Sequence, residues 1–236
     1  MAGTDIKVAA DGGALDAYIA APAQGKGPGV ILVTHIYGVD RDTRGMCDML
    51  ADKGCVALAQ NFFWRDKDSG VLAHSEGQRA RDRAMRIDFA QSMNDLKRAI
   101  AEVKKHLNCN GKVAVLGFCF GGSYVYRAAC DLGIDAGASF HGTFVSKSVR
   151  PGDRVGCPLT FHYGAEDDMA PQAELDAVRK AVTARPDGEF FVHKGAGHGY
   201  MFPSRPTGYS AQVAGKSWDR ALALIGALKT AKAAAE

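Results

Sequence analysis

The sequence predicts an α/β protein built on a mostly parallel central sheet with helices on both faces and an N-terminal β-hairpin. Three observations carry this expectation. Continuous apolar runs such as GVILVTH (29–35), KVAVLGF (112–118) and PLTFHYG (158–164) have the pattern of strands covered on both sides. Stretches with apolar residues at helical spacing separate these runs. Regular alternation of the two implies crossover connections and hence parallel strands. A chain of 236 residues can bury one sizeable core. No linker-like stretch divides it, so 1–236 is read as a single domain.

In chain order, DIKVAADGGALDAYIAAP reads as two alternating runs folded about Asp11-Gly12-Gly13. Residues 29–35 form the first buried strand. From Asp42 to Lys53 the positions of Met46, Met49 and Leu50 fit a helix that Gly54 stops. CVALAQNFF (55–63) is a second buried strand. Residues 76–107 read as one helix with Met93, Leu96, Ile100, Val103 and Leu107 on its stripe. KVAVLGF follows as a strand, SYVYRAAC (123–130) as a helix, and DAGASFH (135–141) and PLTFHYG as strands. Residues 171–182 are helical, EFFVHKG (189–195) is a strand, and residues 210–232 form a closing helix.

Net charge is only +3 and no basic face is clustered, which argues against a nucleic-acid partner. No apolar run approaches the ~20 residues of a membrane span. The first residues lack the charged-then-apolar layout of an export signal, and the expected location is cytoplasmic. The six cysteines show no C-x-x-C spacing and are expected to be reduced thiols. No motif calls for a cofactor or a metal. The expected partner is a small molecule, with the chain a monomer or small homo-oligomer.

The chemistry centres on GFCFGG (117–122), where a buried strand runs straight into a helix. The pattern is that of the nucleophile elbow G-x-S-x-G with sulfur in place of oxygen. Glycines flank the nucleophile because the turn is too tight for side chains. The helix N-terminus points its N–H groups at Cys119 and favours the thiolate. This elbow demands an acid and then a histidine, in that order along the chain. FHYGAEDDMAP supplies Glu166, Asp167 or Asp168 after the fifth strand, and GAGHGYMFP supplies His198 after the sixth. Nucleophile, acid and base at successive strand ends point to acyl transfer.

At these residues the chain resembles the dienelactone hydrolase family, α/β-hydrolases with a Cys-Asp-His triad. The likeness runs through ILVTHIYGVDRDTRGMCDMLADKGCVALAQNFFWR, NDLKRAI, GKVAVLGFCFGG, FHYGAEDDMAP and GAGHGYMFP, nearly the whole length. The resemblance implies an α/β-hydrolase fold and a triad of Cys119, Asp167 and His198. Asp167 is preferred because the family acid stands three residues after the strand-ending glycine, here Gly164. Backbone amides of Phe120 and Ile36 are the implied oxyanion donors, each worth about 2.7–4 kcal/mol in the transition state. The implied reaction is hydrolysis of a small ester or lactone through an acyl-thioester.

The chain also departs from the family pattern. His35 stands where well-known members carry a glutamate that engages the resting thiol, and a histidine there can accept the thiol proton. The family's two carboxylate-binding arginines fall on Gly77 and Phe202. Arg79, Arg81 and Arg205 are neighbours in sequence and candidate replacements, Arg81 foremost. Tyr37, Phe63, Trp64, Tyr124 and Phe202 suggest an aromatic-lined pocket. These replacements favour a less charged ester or lactone over a dienelactone. A binding domain without turnover, or acyl transfer to an alcohol or thiol, are the alternative readings of the same pattern.

Overall fold

Gly12 and Gly13 turn the chain back on itself with φ of +84° and +156°, a conformation open to glycine at little cost. The turn pairs β1 (Thr4–Ala10) with β2 (Gly13–Ala20) as an antiparallel hairpin. In the computed structural model, residues 2–205 and 207–230 are described, without the side chain of Thr230. Contacts gather in two compact units, one of residues 1–113 with the C-terminal residues from 229, the other of Ala114–Leu228.

In the first unit the strands follow the order β1-β2-β4-β3, with β3 at Gly27–Val33 and β4 at Val56–Gln60. β4 runs antiparallel to β2 and parallel to β3. Every residue of β3 and β4 is buried, which explains their unbroken apolar character. Between them lies α1 (Arg41–Asp52), whose first turn is capped by Asp40 accepting from the Thr43 amide at 2.9 Å. Gly54 ends it with φ of +81°. The expected second buried strand stops at Gln60. There the Asn61 side chain accepts from the Phe63 amide at 3.0 Å and bends NFF into a turn.

The single helix expected over 76–107 is in fact two, α2 (Gly77–Met85) and α3 (Phe89–Lys105). Asp88 accepts from the Gln91 amide at 3.0 Å and starts α3 afresh. Leu107 lies past the last turn and is 85% exposed, so the buried stripe ends at Val103. From α2 the wholly buried Arg83 reaches the segment after β3. It donates from Nε and Nη2 to the Ile36 carbonyl at 2.9 and 2.7 Å, and from Nη1 to the Asp68 and Gly70 carbonyls. Its planar fork stacks on the Phe63 ring at 3.9 Å.

β5 (Cys109–Phe118) begins in the first unit and ends in the second, which continues in the order β5-β6-β7-β8. β6 is Ala136–Phe140, β7 Leu159–Gly164 and β8 Gly188–His193, all parallel. Helices α4 (Gly121–Asp131), α5 (Gln172–Val182) and α6 (Ala211–Thr230) alternate with these strands. Among the pairings described, those of β2 are antiparallel and the rest parallel, so the expected mostly parallel α/β architecture with its hairpin holds. Residues 231–232 of the expected closing helix lie outside the described residues.

Register places Phe118, Phe140, His162 and Phe191 side by side across the four strands. Their rings stack in one rank at 5.0, 5.5 and 5.1 Å between centroids, near-parallel throughout. Trp218 of α6 lies over Phe140 at 5.7 Å. The residue after Phe118 is Cys119, and the residue after Phe140 is His141.

Candidate active site

At the end of β5 the chain enters α4 through Cys119, which adopts φ of +55°. A non-glycine residue in that region is strained, and such strain concentrates where function requires it. The strain is held by backbone bonds on both sides. The Cys119 amide donates to the Phe140 carbonyl, and the Cys119 carbonyl accepts from Gly122 and Thr143, each at 3.1 Å. A Cβ on Gly117 would lie 2.4 Å from the Gly121 carbonyl oxygen, so only glycine permits the turn.

Two other loops deliver the partners. Gly164 ends β7 so close to the histidine loop that a Cβ there would meet the Ala196 carbonyl oxygen at 2.1 Å. Asp167 follows, fully enclosed, and its carboxylate lies 2.9 and 3.1 Å from His198 Nδ1. Its Oδ1 also accepts from the Met169 amide at 3.0 Å, which fixes the carboxylate plane. His198 Nε2 then lies 3.2 Å from Cys119 Sγ. Of the three acids open from the sequence, Glu166 instead accepts from the Gly195 amide, and Asp168 is exposed.

A carboxylate on Nδ1 keeps a proton there and leaves Nε2 to exchange one with sulfur. Burial pushes the Cys119 thiol up from its ordinary 9.0. The His198 imidazolium, its hydrogen bond, the Arg205 guanidinium and the Phe120 amide outweigh burial and bring it below that value. Burial likewise pushes His198 down, yet the thiolate and Asp167 raise it to about 10. Both shifts favour a thiolate–imidazolium pair. By contrast, burial drives Cys47, Cys55, Cys130 and Cys157 up.

The remaining sequence candidates distribute as follows. In this same unit, Tyr124 is buried with its ring edge-to-face on Phe120 at 5.6 Å. Phe202 is wholly buried against Phe118 and His141, with the Arg205 guanidinium 5.2 Å from its ring. In the first unit, His35 is buried, its Nδ1 accepting from the Tyr37 amide at 3.1 Å. Its Nε2 lies 3.1 Å from Asp40 Oδ2, and against the pull of burial this contact helps to hold the Asp40 carboxyl down at about 2. Tyr37 is half-buried, its ring 4.7 Å from that of His74. Ile36 offers its carbonyl to Arg83, as described above. Trp64 donates from Nε1 to Asp95 at 2.9 Å and packs on the Gly13 turn. Arg81 is exposed and donates to Gln78 at 3.0 Å, while Arg79 pairs with Asp68 and Glu76.

His141 is the neighbour that sequence reasoning missed. Its φ is +42°, and its ring meets that of His198 edge-to-face at 4.8 Å. The only signal was its place at a strand end beside the elbow strand. A histidine there is ordinary until the register is known.

Comparison with known proteins gives the family of the chain. The model of the Dienelactone hydrolase family matches residues 15–228. The carboxymethylenebutenolidase of Pseudomonas putida is 25% identical, over 94% of this chain and 95% of its own. That of Pseudomonas sp. strain P51 is 28% identical over 83% of each. A dienelactone hydrolase-like promiscuous phosphotriesterase, P91 from metagenomic libraries, superposes with a TM-score of 0.80 at 20% identity, over 96% of this chain and 98% of that one. With a family match that spans both units and a mostly parallel sheet of the same kind, this chain belongs to the dienelactone hydrolase family and is by family an ester or lactone hydrolase.

Proposed function

We propose that the chain hydrolyses a small, uncharged ester or lactone with Cys119 as nucleophile, His198 as base and acid, and Asp167 as orienting group. The observation that carries this reading is the 3.2 Å contact of His198 Nε2 with Cys119 Sγ, backed by Asp167 on Nδ1.

The resting thiolate attacks the carbonyl carbon, and the carbonyl electrons move onto oxygen. The Phe120 amide, which faces the resting sulfur, is placed to take that oxyanion, with the Ile36 amide as the second donor in the family register. Collapse expels the alkoxide, which takes the Nε2 proton of His198 and leaves a thioester on Cys119. In a lactone the alcohol stays tethered to the acyl group. Water then gives its proton to Nε2 as it attacks the thioester, and expulsion of the thiolate restores the ion pair and releases the acid. Asp167 stabilises the imidazolium throughout and keeps its own charge.

Substrate preference rests on the two family arginine positions. One is Gly77, and the other is the enclosed, apolar Phe202. Without a bidentate clamp, a substrate carboxylate gains little and loses its hydration. All six cysteines are free thiols, which accords with a reducing cytoplasmic location as part of the same proposal. Among the described residues no helix is long and apolar enough to cross a membrane.

The test is hydrolysis of a panel of neutral esters, neutral lactones and a carboxylate-bearing dienelactone by wild type and Cys119→Ala. Turnover of neutral members that drops about ten-thousand-fold or more in the variant is expected. Turnover by Cys119→Ala removes the thiol mechanism. Strong preference for the anionic lactone, lost in Arg81→Ala or Arg205→Ala, overturns the substrate assignment.

A further inference from the structure

Below the His198 loop a chain of buried polar side chains links three elements that the mechanism does not use. Thr160 Oγ1 lies 2.9 Å from His162 Nε2, and His162 Nδ1 lies 3.1 Å from His193 Nε2. That same His193 nitrogen lies 3.4 Å from Ser217 Oγ, which lies 3.1 Å from Tyr200 Oη. Thr160 and His162 come from β7, His193 from β8, Ser217 from α6, and Tyr200 from the His198 loop itself. All but His193 are wholly buried.

The proton directions follow from satisfying each buried hydroxyl. Among the described residues Ser217 is the partner of the Tyr200 hydroxyl, so Tyr200 donates to Ser217. Ser217 must then donate to His193 Nε2, which therefore carries no proton. His162 Nδ1 faces the same nitrogen at 3.1 Å, so Ser217 and His162 share its single lone pair, and His162 Nε2 meets the Thr160 hydroxyl. Both imidazoles stay neutral in this arrangement, and burial pushes both below the ordinary 6.5, His162 to about 3.

His162 has a second hold on the site. Its carbonyl accepts from the His141 amide at 2.7 Å, fixing the residue whose ring supports His198. The Tyr200 ring meets the other side of this support, 5.4 Å from His141. The ring that supports His198 and the Tyr200 ring packed on it therefore both trace back to His162.

We propose that the chain Tyr200–Ser217–His193–His162–Thr160, with His141, is a positioning device that holds the His198 imidazole in the plane where Nε2 meets the sulfur. His198 must serve first as acid, charged, and then as base, neutral, and a ring free to tilt would lose one of the two alignments. Asp167 fixes one edge of the ring. The chain fixes the loop beneath it and the ring against its face. Small misplacements at a reacting group cost up to about a hundredfold in rate. The proposal rests on the reading of His198 as the base.

The experiment compares Tyr200→Phe, Ser217→Ala and Ser217→Thr with wild type on one neutral ester, recording kcat, KM, thermal midpoint and the rate of Cys119 alkylation. Expected are a kcat about tenfold lower in Tyr200→Phe and Ser217→Ala, KM within about twofold, slower alkylation, and recovery in Ser217→Thr, which keeps the hydroxyl. Unchanged kcat in Tyr200→Phe overturns the proposal, as does a loss in Ser217→Ala that Ser217→Thr fails to restore while thermal midpoint falls with it. His198→Ala run alongside separates the two readings. Turnover retained there removes the base assignment itself, whereas turnover lost there with the chain variants at full rate removes only the positioning device.

Discussion

At Cys119 two opposing effects act on one sulfur, and their balance has a measurable pH signature. Burial disfavours the thiolate, and the imidazolium, guanidinium and amide around it favour the thiolate. The ordinary values are 9.0 for the thiol and 6.5 for the imidazole. Between those values the unfolded chain holds one proton on the two groups, and a folded thiolate–imidazolium pair would also hold one, on His198. The pair's contribution to stability is therefore flat in that window. Above 9.0 the unfolded chain loses its proton while the folded pair keeps one up to about 10, so stability falls as pH rises. Below 6.5 the unfolded chain gains a second proton, and stability falls as pH drops, by up to about 1.4 kcal/mol per pH unit. Denaturant unfolding across pH, with the profile of Cys119→Ala/His198→Ala subtracted, is expected to show this flat-topped difference. A difference that slopes steadily through the window contradicts the ion pair.

Between elements, the joint of β5 and α4 decides whether that sulfur is presented at all. Gly117 and Gly121 touch across the turn, and a Cβ on Gly117 has no room beside the Gly121 carbonyl or the Val125 side chain. Gly117→Ala is therefore expected to lower stability by about 1–3 kcal/mol and to abolish most turnover, because relief requires Cys119 to move. A variant with wild-type melting and kcat shows that the elbow is looser than the contacts indicate. The elbow, the strands and the order of the triad were legible because each is written locally, in glycine spacing, apolar runs and chain order. The break between α2 and α3 was missed because no glycine or proline marks it. The Asp88 side chain caps α3 and starts it afresh. Arg83 drew no notice in the sequence, because its burial depends on carbonyls 13 to 47 residues away.

For the molecule as a whole, what the sequence hid is what parallel sheets bring together from afar. Phe118, Phe140, His162 and Phe191 come from four separate strands, and nothing in any one strand announces the ranked rings. His141 comes to His198 from the end of β6, and Tyr200 and Ser217 come to each other from a loop and from α6. The proposed Cys119, Asp167 and His198 escaped that difficulty because an elbow of this kind calls for an order, nucleophile then acid then histidine, that can be looked for along the chain. The family match from residue 15 to 228 extends over both compact units.

The central claim is that Cys119 carries the acyl group. Its most direct test is rapid acid quenching during turnover of a slowly released neutral ester, followed by mass analysis of the intact chain and its peptides. An added mass equal to the acyl group on the peptide bearing Cys119, lost on treatment with hydroxylamine and absent in Cys119→Ala, is the predicted result. Acylation of any other residue, or undiminished turnover by Cys119→Ala, would contradict it.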